Sequence, residues 1–311
     1  HENTINIAWH ALSLWWFCRI DGRGPNSLRD NLHEHIETLR FIASSDKPFE
    51  PNVPHHFSFR GADDVTYIVS AFLAAKLAKK MGIRHLILQN MLNTPRYLWG
   101  VQDLAKSRAM LQLLREIEDD RFAVILQPRG GLDYFSHNMD KAKAQLAAIT
   151  ALIDDIEPHN QQSPPIIHVV SYSEGYGLAD PPVVDESIQI TRHALEEYRR
   201  LRRKGEVDDM TGDVEVRLRK QELLEQARYL IAAIEANVPN PYSVDGFYRI
   251  FADGFLPVPY LWECRGEFIH ATQWVTKVLD GAVKLVDEAG AALSVADRVR
   301  IILERKMQQG S

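Results

Sequence analysis

The sequence is poor in the features that mark several special classes of protein. It has two cysteines, Cys18 and Cys264, among 311 residues, which excludes a disulfide-stapled scaffold and a cysteine-rich zinc site. No apolar run reaches the ~18–20 residues that a membrane-spanning helix needs, and the first residues lack the pattern of a signal peptide. We therefore expect a cytoplasmic protein that neither spans nor binds a membrane.

The sequence also lacks an excess of positive charge and the best-known catalytic motifs. There are 36 Lys and Arg against 42 Asp and Glu, giving a formal net charge of −6, which argues against a nucleic-acid-binding surface. The basic run at 199–204 is interpreted as a solvated helix end. No G-x-S-x-G nucleophile motif and no Walker A lysine is present. With 45% hydrophobic and 25% charged residues, the composition is that of an ordinary globular protein.

Short apolar runs alternate with helical patterns through the first two thirds of the chain. We predict strands at 11–20, 55–61, 84–89, 121–127 and 165–171. We predict helices at 27–42, 64–81, 100–118, 138–156 and 185–203, with Ser27 as the first N-cap. About five such strand–helix units are typical of an α/β fold with a parallel sheet, either doubly wound or the later part of a barrel. After residue 205 we predict a helical extension, with helices at 213–236, 274–289 and 294–307.

Four predicted strand ends combine glycine with charged residues. These segments are 21–24, 58–61, 127–131 and 173–177. In parallel α/β folds the carboxyl ends of the strands carry the chemistry, because loops and helix N-termini meet there. Arginine at three of these ends suits a carboxylate, and an acidic residue at 21 or 174 could hold an ammonium group or act as a base. The alternative is ordinary turn chemistry.

The histidines give little support for a metal site. His33 and His35 are two apart on a predicted helix, so they point in different directions and cannot share one ion. One of His10, His56 and His168 could bind a metal, but no acidic partner has the matching spacing. We expect His168, within an apolar strand, to be a hydrogen-bonded core residue.

Five stretches, in order along the chain, resemble the large (epsilon) catalytic subunit of glutamate mutase. Residues 77–88 are similar to the family's helix–Gly–strand step, and 100–105 (GVQDLA) to its "IQDIAALR" helix. Residues 127–132 (QPRGGL) match the strand end that leads into "MGGFP". Residues 169–178 (VVSYSEGYGL) resemble "KTPHEAIGI", and 251–260 (FADGFLPVPY) resemble "FETGVMDIPF".

The resemblance implies a TIM-type (β/α)8 barrel with its mouth facing adenosylcobalamin, and a radical isomerisation of a small amino acid or carboxylate. This chain would supply roughly the later barrel units in 1–205, and 206–311 would pack on the barrel as the extension. Another chain or segment would supply the first units. A separate small subunit with a D-x-H-x-x-G motif would bring the cobalamin, and that motif is absent here.

The resemblance also implies roles for individual residues near the substrate. Asp21 matches the glutamate of the family's "NEGGG" segment, which holds the substrate ammonium and acts as base. His1 lies where the family has an Arg-His pair on a substrate carboxylate. By position, Arg23, Arg60 and Arg129 are further candidates for binding an acidic substrate.

On the cofactor side, the resemblance implies that Glu174 hydrogen-bonds the adenosyl ribose and that Leu178 makes an apolar contact nearby. Leu132 matches a phenylalanine that contacts cobalamin. Gly131 belongs to the same segment, and Arg129 is a candidate for contacting the cofactor.

Two departures from the family open an alternative function. The family's lysine before the Glu174 match is Val170 here, and its Tyr-containing "SYNVPY" loop is largely absent. These losses favour a non-catalytic, cobalamin-associated scaffold or regulator as the alternative. An unrelated barrel enzyme that uses a metal or an imine is a further possibility.

Overall fold

The computed structural model describes residues 4–309, so His1 lies outside the described residues. Its centre is a four-stranded parallel sheet in which each strand pairs with the next strand along the chain. The strands are β1 (His10–Leu12), β2 (Phe49–Pro51), β3 (His85–Leu92) and β4 (Ala123–Gly130). Outside this sheet, β5 (Val275–Leu279) and β6 (Ala282–Val286) form an antiparallel hairpin. The predicted α/β class is confirmed.

Ten helices surround the two sheets within the described residues. In the first part of the chain they are α1 (Leu28–Ser45), α2 (Pro54–Ser58), α3 (Asp64–Lys80), α4 (Gly100–Arg115) and α5 (Met139–Asp154). The later ones are α6 (Pro181–Arg203), α7 (Val214–Asn237), α8 (Val244–Ala252), α9 (Ile269–Thr272) and α10 (Val295–Gln309). None of these helices combines the length and the apolar character that a membrane span requires.

Several helices begin where a polar side chain caps the first turn. The Ser27 hydroxyl accepts the Asp30 amide at 3.2 Å, which confirms the predicted N-cap of α1. At the start of α3, the Asp63 carboxylate accepts the amides of Val65 and Thr66 at 3.0 and 3.1 Å. These caps fix where each crossover helix leaves the carboxyl end of the sheet.

The later helices pack directly on the first part of the chain. Helix α7 lies against α3 and α4, and charged groups at this junction are buried. Arg219 of α7 is 3.2 Å from Asp64 of α3, which is 3.5 Å from Lys106 of α4. Arg298 of α10 contacts the Asp63 carboxylate at 3.3 Å. The residues after 205 are therefore joined to helix α3 and, through it, to α4 by paired buried charges.

Three predicted strands differ in the structure. The predicted strand at 11–20 stops at Leu12, because Leu14 and Phe17 take positive φ values of 47° and 65°. Residues 55–61 were predicted as a strand end but Pro54 begins a helix there, as proline does at a first helical position. Residues 165–171 do not form a strand, although the His168 amide donates to the Pro128 carbonyl of β4 at 3.1 Å.

The predicted helix at 274–289 is wrong, since this segment is the β5–β6 hairpin. Asp280 and Gly281 form its turn with φ values of 51° and 73°, the conformation that an Asp-Gly hairpin turn requires. Valine-rich alternation flanks the turn on both sides.

Within residues 4–309, β1 and β4 are the outer strands of the parallel sheet. Four strands do not close an eight-stranded barrel, so the described residues form an open sheet with helices packed against it.

Candidate functional site

The four segments singled out by sequence lie next to one another at the carboxyl end of the parallel sheet. Segment 21–24 meets 58–61 where Arg60 is 3.5 Å from the Asp21 carboxylate. Segment 58–61 shares a pocket with Leu132. Segment 173–178 lies against 127–132, because an added Cβ at Gly175 would be 3.1 Å from the Leu132 carbonyl oxygen. This end of the sheet is therefore the candidate site.

The Asp21 carboxylate is buried and surrounded by donors. It lies at the end of a 3-10 turn, Arg19–Asp21, and accepts the amides of Phe17 and Cys18 at 3.0 and 3.1 Å. It also accepts Nε of Arg23 at 2.8 Å. Burial alone would raise the pKa of Asp21, but these hydrogen bonds and the charges of Arg23 and Arg60 hold that pKa below its ordinary value. Asp21 is thus an ionised group that positions two arginines.

Aromatic rings hold these two arginines in place. The Arg23 guanidinium lies 3.7 Å from the centre of the Phe17 ring, and the Arg60 guanidinium lies 4.6 Å from the Trp16 ring. Trp16 is fully buried, whereas the Phe17 side chain is about half exposed. The aromatic run of the first loop therefore forms a wall beside the charged groups.

Three histidines near this wall are uncharged at neutral pH. Burial, and then the charges of Arg23 and Arg60, lower the pKa of His56 to about 3. Burial and the charge of Arg129 lower the pKa of His168 to about 4. The pKa of His55 is also well below its ordinary value, mainly because the ring is buried. Within residues 4–309, no group of three or more His, Cys, Asp or Glu side chains is arranged to hold a metal ion.

A buried polar row that sequence analysis missed crosses the sheet at this end. The Trp9 indole donates to the Glu50 carboxylate at 2.6 Å, and the Gln89 amide donates to the other Glu50 oxygen at 2.9 Å. The same Gln89 amide is 3.3 Å from the Gln127 side-chain oxygen. Burial raises the pKa of Glu50, and hydrogen bonds together with the charge of Arg129 offset part of that rise. The signal in the sequence is a polar residue within each of the apolar strands β2, β3 and β4, and the register that brings the three together is not readable from it.

The residues predicted to contact a cofactor lie on the β4 side. Gly131 is buried and its amide donates to the Leu92 carbonyl at 2.8 Å. An added Cβ there would be 2.0 Å from the Thr94 hydroxyl, so the close approach of two loops requires glycine. Glu174 is exposed and accepts the Ser171 amide at 3.0 Å. Leu178 is fully exposed and Leu132 is partly exposed.

A pocket of about 420 Å³ opens beside these residues. Its walls include Phe59, Pro95 and Leu132 from the sheet loops, together with Tyr260 and Val278 from the later part of the chain. The hairpin is attached there by the Thr276 hydroxyl, which donates to the Gly61 carbonyl at 2.7 Å. Sequence analysis missed this contribution because it predicted a helix in place of the hairpin.

No model of a known protein family matches the chain. A search of curated proteins also finds no match.

Proposed function

We propose that this chain is the catalytic subunit, or part of it, of an adenosylcobalamin-dependent carbon-skeleton mutase that acts on a small amino acid or carboxylate. The observation that carries the proposal is the gathering of segments 21–24, 58–61, 127–132 and 173–178 at one end of the sheet. Segments 21–24, 127–132 and 173–178 resemble segments of glutamate mutase in sequence. Segment 58–61 lies beside them in the structure.

Within the α/β class, the strand order supports part of a (β/α)8 barrel. A doubly wound sheet reverses its strand order at a switch point, whereas neighbouring strands of a (β/α)8 barrel follow chain order. The four parallel strands here follow chain order throughout. We propose that they form an arc of such a barrel, to which another segment or chain adds the remaining units.

The site's apolar rim fits one face of a large flat cofactor. Phe59, Leu132 and Tyr260 are partly or largely exposed around the pocket, and Gly131 keeps the neighbouring loops close together. Leu132 and Tyr260 would contact the cofactor, and Glu174 would hydrogen-bond its ribose. When bound, adenosylcobalamin supplies the carbon radical that abstracts a substrate hydrogen.

The chain's own residues would orient the substrate and exclude water. The buried aromatic residues Trp15 and Trp16 close the floor beside the charged groups. Arg23 and Arg60, held by Asp21, offer positive charge at one side of the site. Excluding solvent protects a radical from side reactions, which is the role a dry site has in such chemistry.

The test combines the chain with adenosylcobalamin and a small D-x-H-x-x-G cobalamin-binding subunit from a glutamate mutase. Addition of glutamate, 3-methylaspartate or a related acid should produce a radical signal in EPR and cobalamin-dependent turnover. Glu174→Gln should weaken cobalamin-dependent turnover, while Glu225→Gln, an exposed change on α7, should leave it unchanged. Turnover that needs no cobalamin would contradict the proposal.

One observation favours the scaffold as a second candidate. Asp21, which matches a catalytic glutamate, has both oxygens occupied by donors of its own chain. Cobalamin-dependent complex formation without any radical signal across the substrate panel would support this scaffold function instead.

A further inference from the structure

We propose that Arg129 binds the carboxylate group of the substrate. The inference rests on the proposed location of the site and names the substrate class that this site selects. The sequence makes Arg129 a candidate for contacting the cofactor and, together with Arg23 and Arg60, for binding an acidic substrate; the inference selects the second role.

The Arg129 guanidinium lacks the partners that other buried charges of the molecule have. It projects from the end of β4, two residues beyond the buried Gln127 and on the same face of the sheet. Its Nε is 3.4 Å from the Gly130 carbonyl, and its two terminal nitrogens have no hydrogen bond within the described part of the chain. No carboxylate of residues 4–309 lies within 4.0 Å of it to form an ion pair.

A half-buried guanidinium without a partner is costly unless a ligand provides one. Removing a charge from water is repaid only when an opposite charge and hydrogen bonds replace the lost hydration. The planar fork of arginine presents two parallel donors, the geometry that a carboxylate accepts. The open fork of Arg129 therefore points to an anionic ligand.

The contrast with Arg23 and Arg60 singles out Arg129. Arg23 donates to the Asp21 carboxylate, and Arg60 lies 3.5 Å from it, so both of these guanidinium groups already have an internal carboxylate beside them. Nothing equivalent is in contact with Arg129. Of the three predicted arginines, Arg129 is the one whose two terminal nitrogens both lack a hydrogen bond within residues 4–309.

The surroundings favour a carboxylate over a phosphate. The neighbouring rings of His55 and His168 add no positive charge at neutral pH. The charges of Glu174 and Glu50 also act on Arg129 from outside ion-pair distance. One cation with acidic neighbours suits a singly charged group, whereas a phosphate dianion would meet repulsion. The Nδ1 atoms of His55 and His56 are buried without partners and add polar groups next to this site.

The test measures anion binding to the full chain without cobalamin. Calorimetric titration with propionate, succinate and inorganic phosphate, at constant ionic strength, should show binding of the carboxylates and not of phosphate. Arg129→Gln should weaken carboxylate binding at least about tenfold, and Arg129→Lys should weaken it less. Arg192→Gln, on the exposed side of α6, is the matched control and should bind as the unchanged chain does.

Three outcomes would overturn the inference. These are absence of carboxylate binding, tighter binding of phosphate, and unchanged affinity in Arg129→Gln. Circular dichroism verifies that each variant is folded, and Arg129→Lys preserves the test if the glutamine variant does not fold.

Carboxylate binding through Arg129 without any cobalamin effect would contradict only the mutase function. Cobalamin-dependent turnover that survives Arg129→Gln would contradict only the anion site.

Discussion

Two regions of this molecule bury charged groups, and they do so in opposite ways. At the junction of α3, α4, α7 and α10, the buried charges are all paired. Lys106 contacts Asp103 at 2.6 Å and Asp64 at 3.5 Å, and Arg219 and Arg298 contact Asp64 and Asp63. At the carboxyl end of the sheet, Asp21 is paired, whereas Arg129 has no ion-pair partner within residues 4–309.

The difference separates a role in architecture from a role in binding. Buried charges that satisfy one another join helices and need no ligand. Buried groups left incomplete lower stability unless something binds to them, and functional sites are where proteins keep such groups. The comparison therefore assigns the helix junction to stability and the end of the sheet to function.

The largest expected effect lies in the helix junction. Lys106→Met should lower the free energy of unfolding by about 3–5 kcal/mol, because it leaves Asp103 and Asp64 buried without their shared cation. Urea unfolding followed by circular dichroism measures this change. Lys141→Met, an exposed change on α5, should shift the value by no more than about 0.5 kcal/mol. Equal effects of the two substitutions would mean that the paired charges do not stabilise the junction.

A smaller effect is expected at Asp21, where the site resembles the junction. Asp21→Asn should cost about 1–3 kcal/mol at neutral pH, because an amide cannot accept all the donors of Phe17, Cys18 and Arg23. The folded-state pKa of Asp21 lies below its ordinary value, so its stabilisation is complete above the unfolded pKa of ~3.9. It is lost as the pH falls through the folded pKa.

The unfolding free energies of the unchanged chain and of Asp21→Asn should therefore converge as the pH falls below about 4. A constant difference between pH 3 and pH 7 would show that Asp21 stabilises the fold by packing rather than by charge.

The helices and the gathering of the loops follow from local features of the sequence. Ser27 and Asp63 cap helices as side-chain chemistry predicts, and glycine with charged residues marks the strand ends that meet at the site. Local patterns of this kind suffice because helix caps and parallel crossovers depend on near neighbours.

Long-range packing explains what local patterns missed. The centre of the apolar run at 11–20 is buried outside any strand, since Trp15 packs on Phe247 with ring centres 4.6 Å apart and needs no strand neighbour for its burial. The buried polar row that contains Glu50, Gln89 and Gln127 depends on the register between strands far apart in sequence. The pairing of Asp21 and the open state of Arg129 likewise depend on which loops meet, and single-sequence periodicity does not contain that information.

The smallest expected effect is at Glu50, and it has the opposite dependence on pH from that at Asp21. Burial raises the folded-state pKa of Glu50, so the folded chain holds this proton more tightly than the unfolded chain. Its favourable contribution is complete below the unfolded pKa of ~4.3 and is lost as the pH rises through the folded pKa.

Glu50→Gln removes this titration, so the stability of this variant relative to the unchanged chain should increase from pH 4 to pH 7. Denaturant unfolding at several pH values measures the trend. The control is Glu118→Gln, which removes an exposed carboxylate. A relative stability that stays flat or declines over this range would mean that Glu50 is ionised without cost, and the carboxyl end of the sheet would then resemble the helix junction.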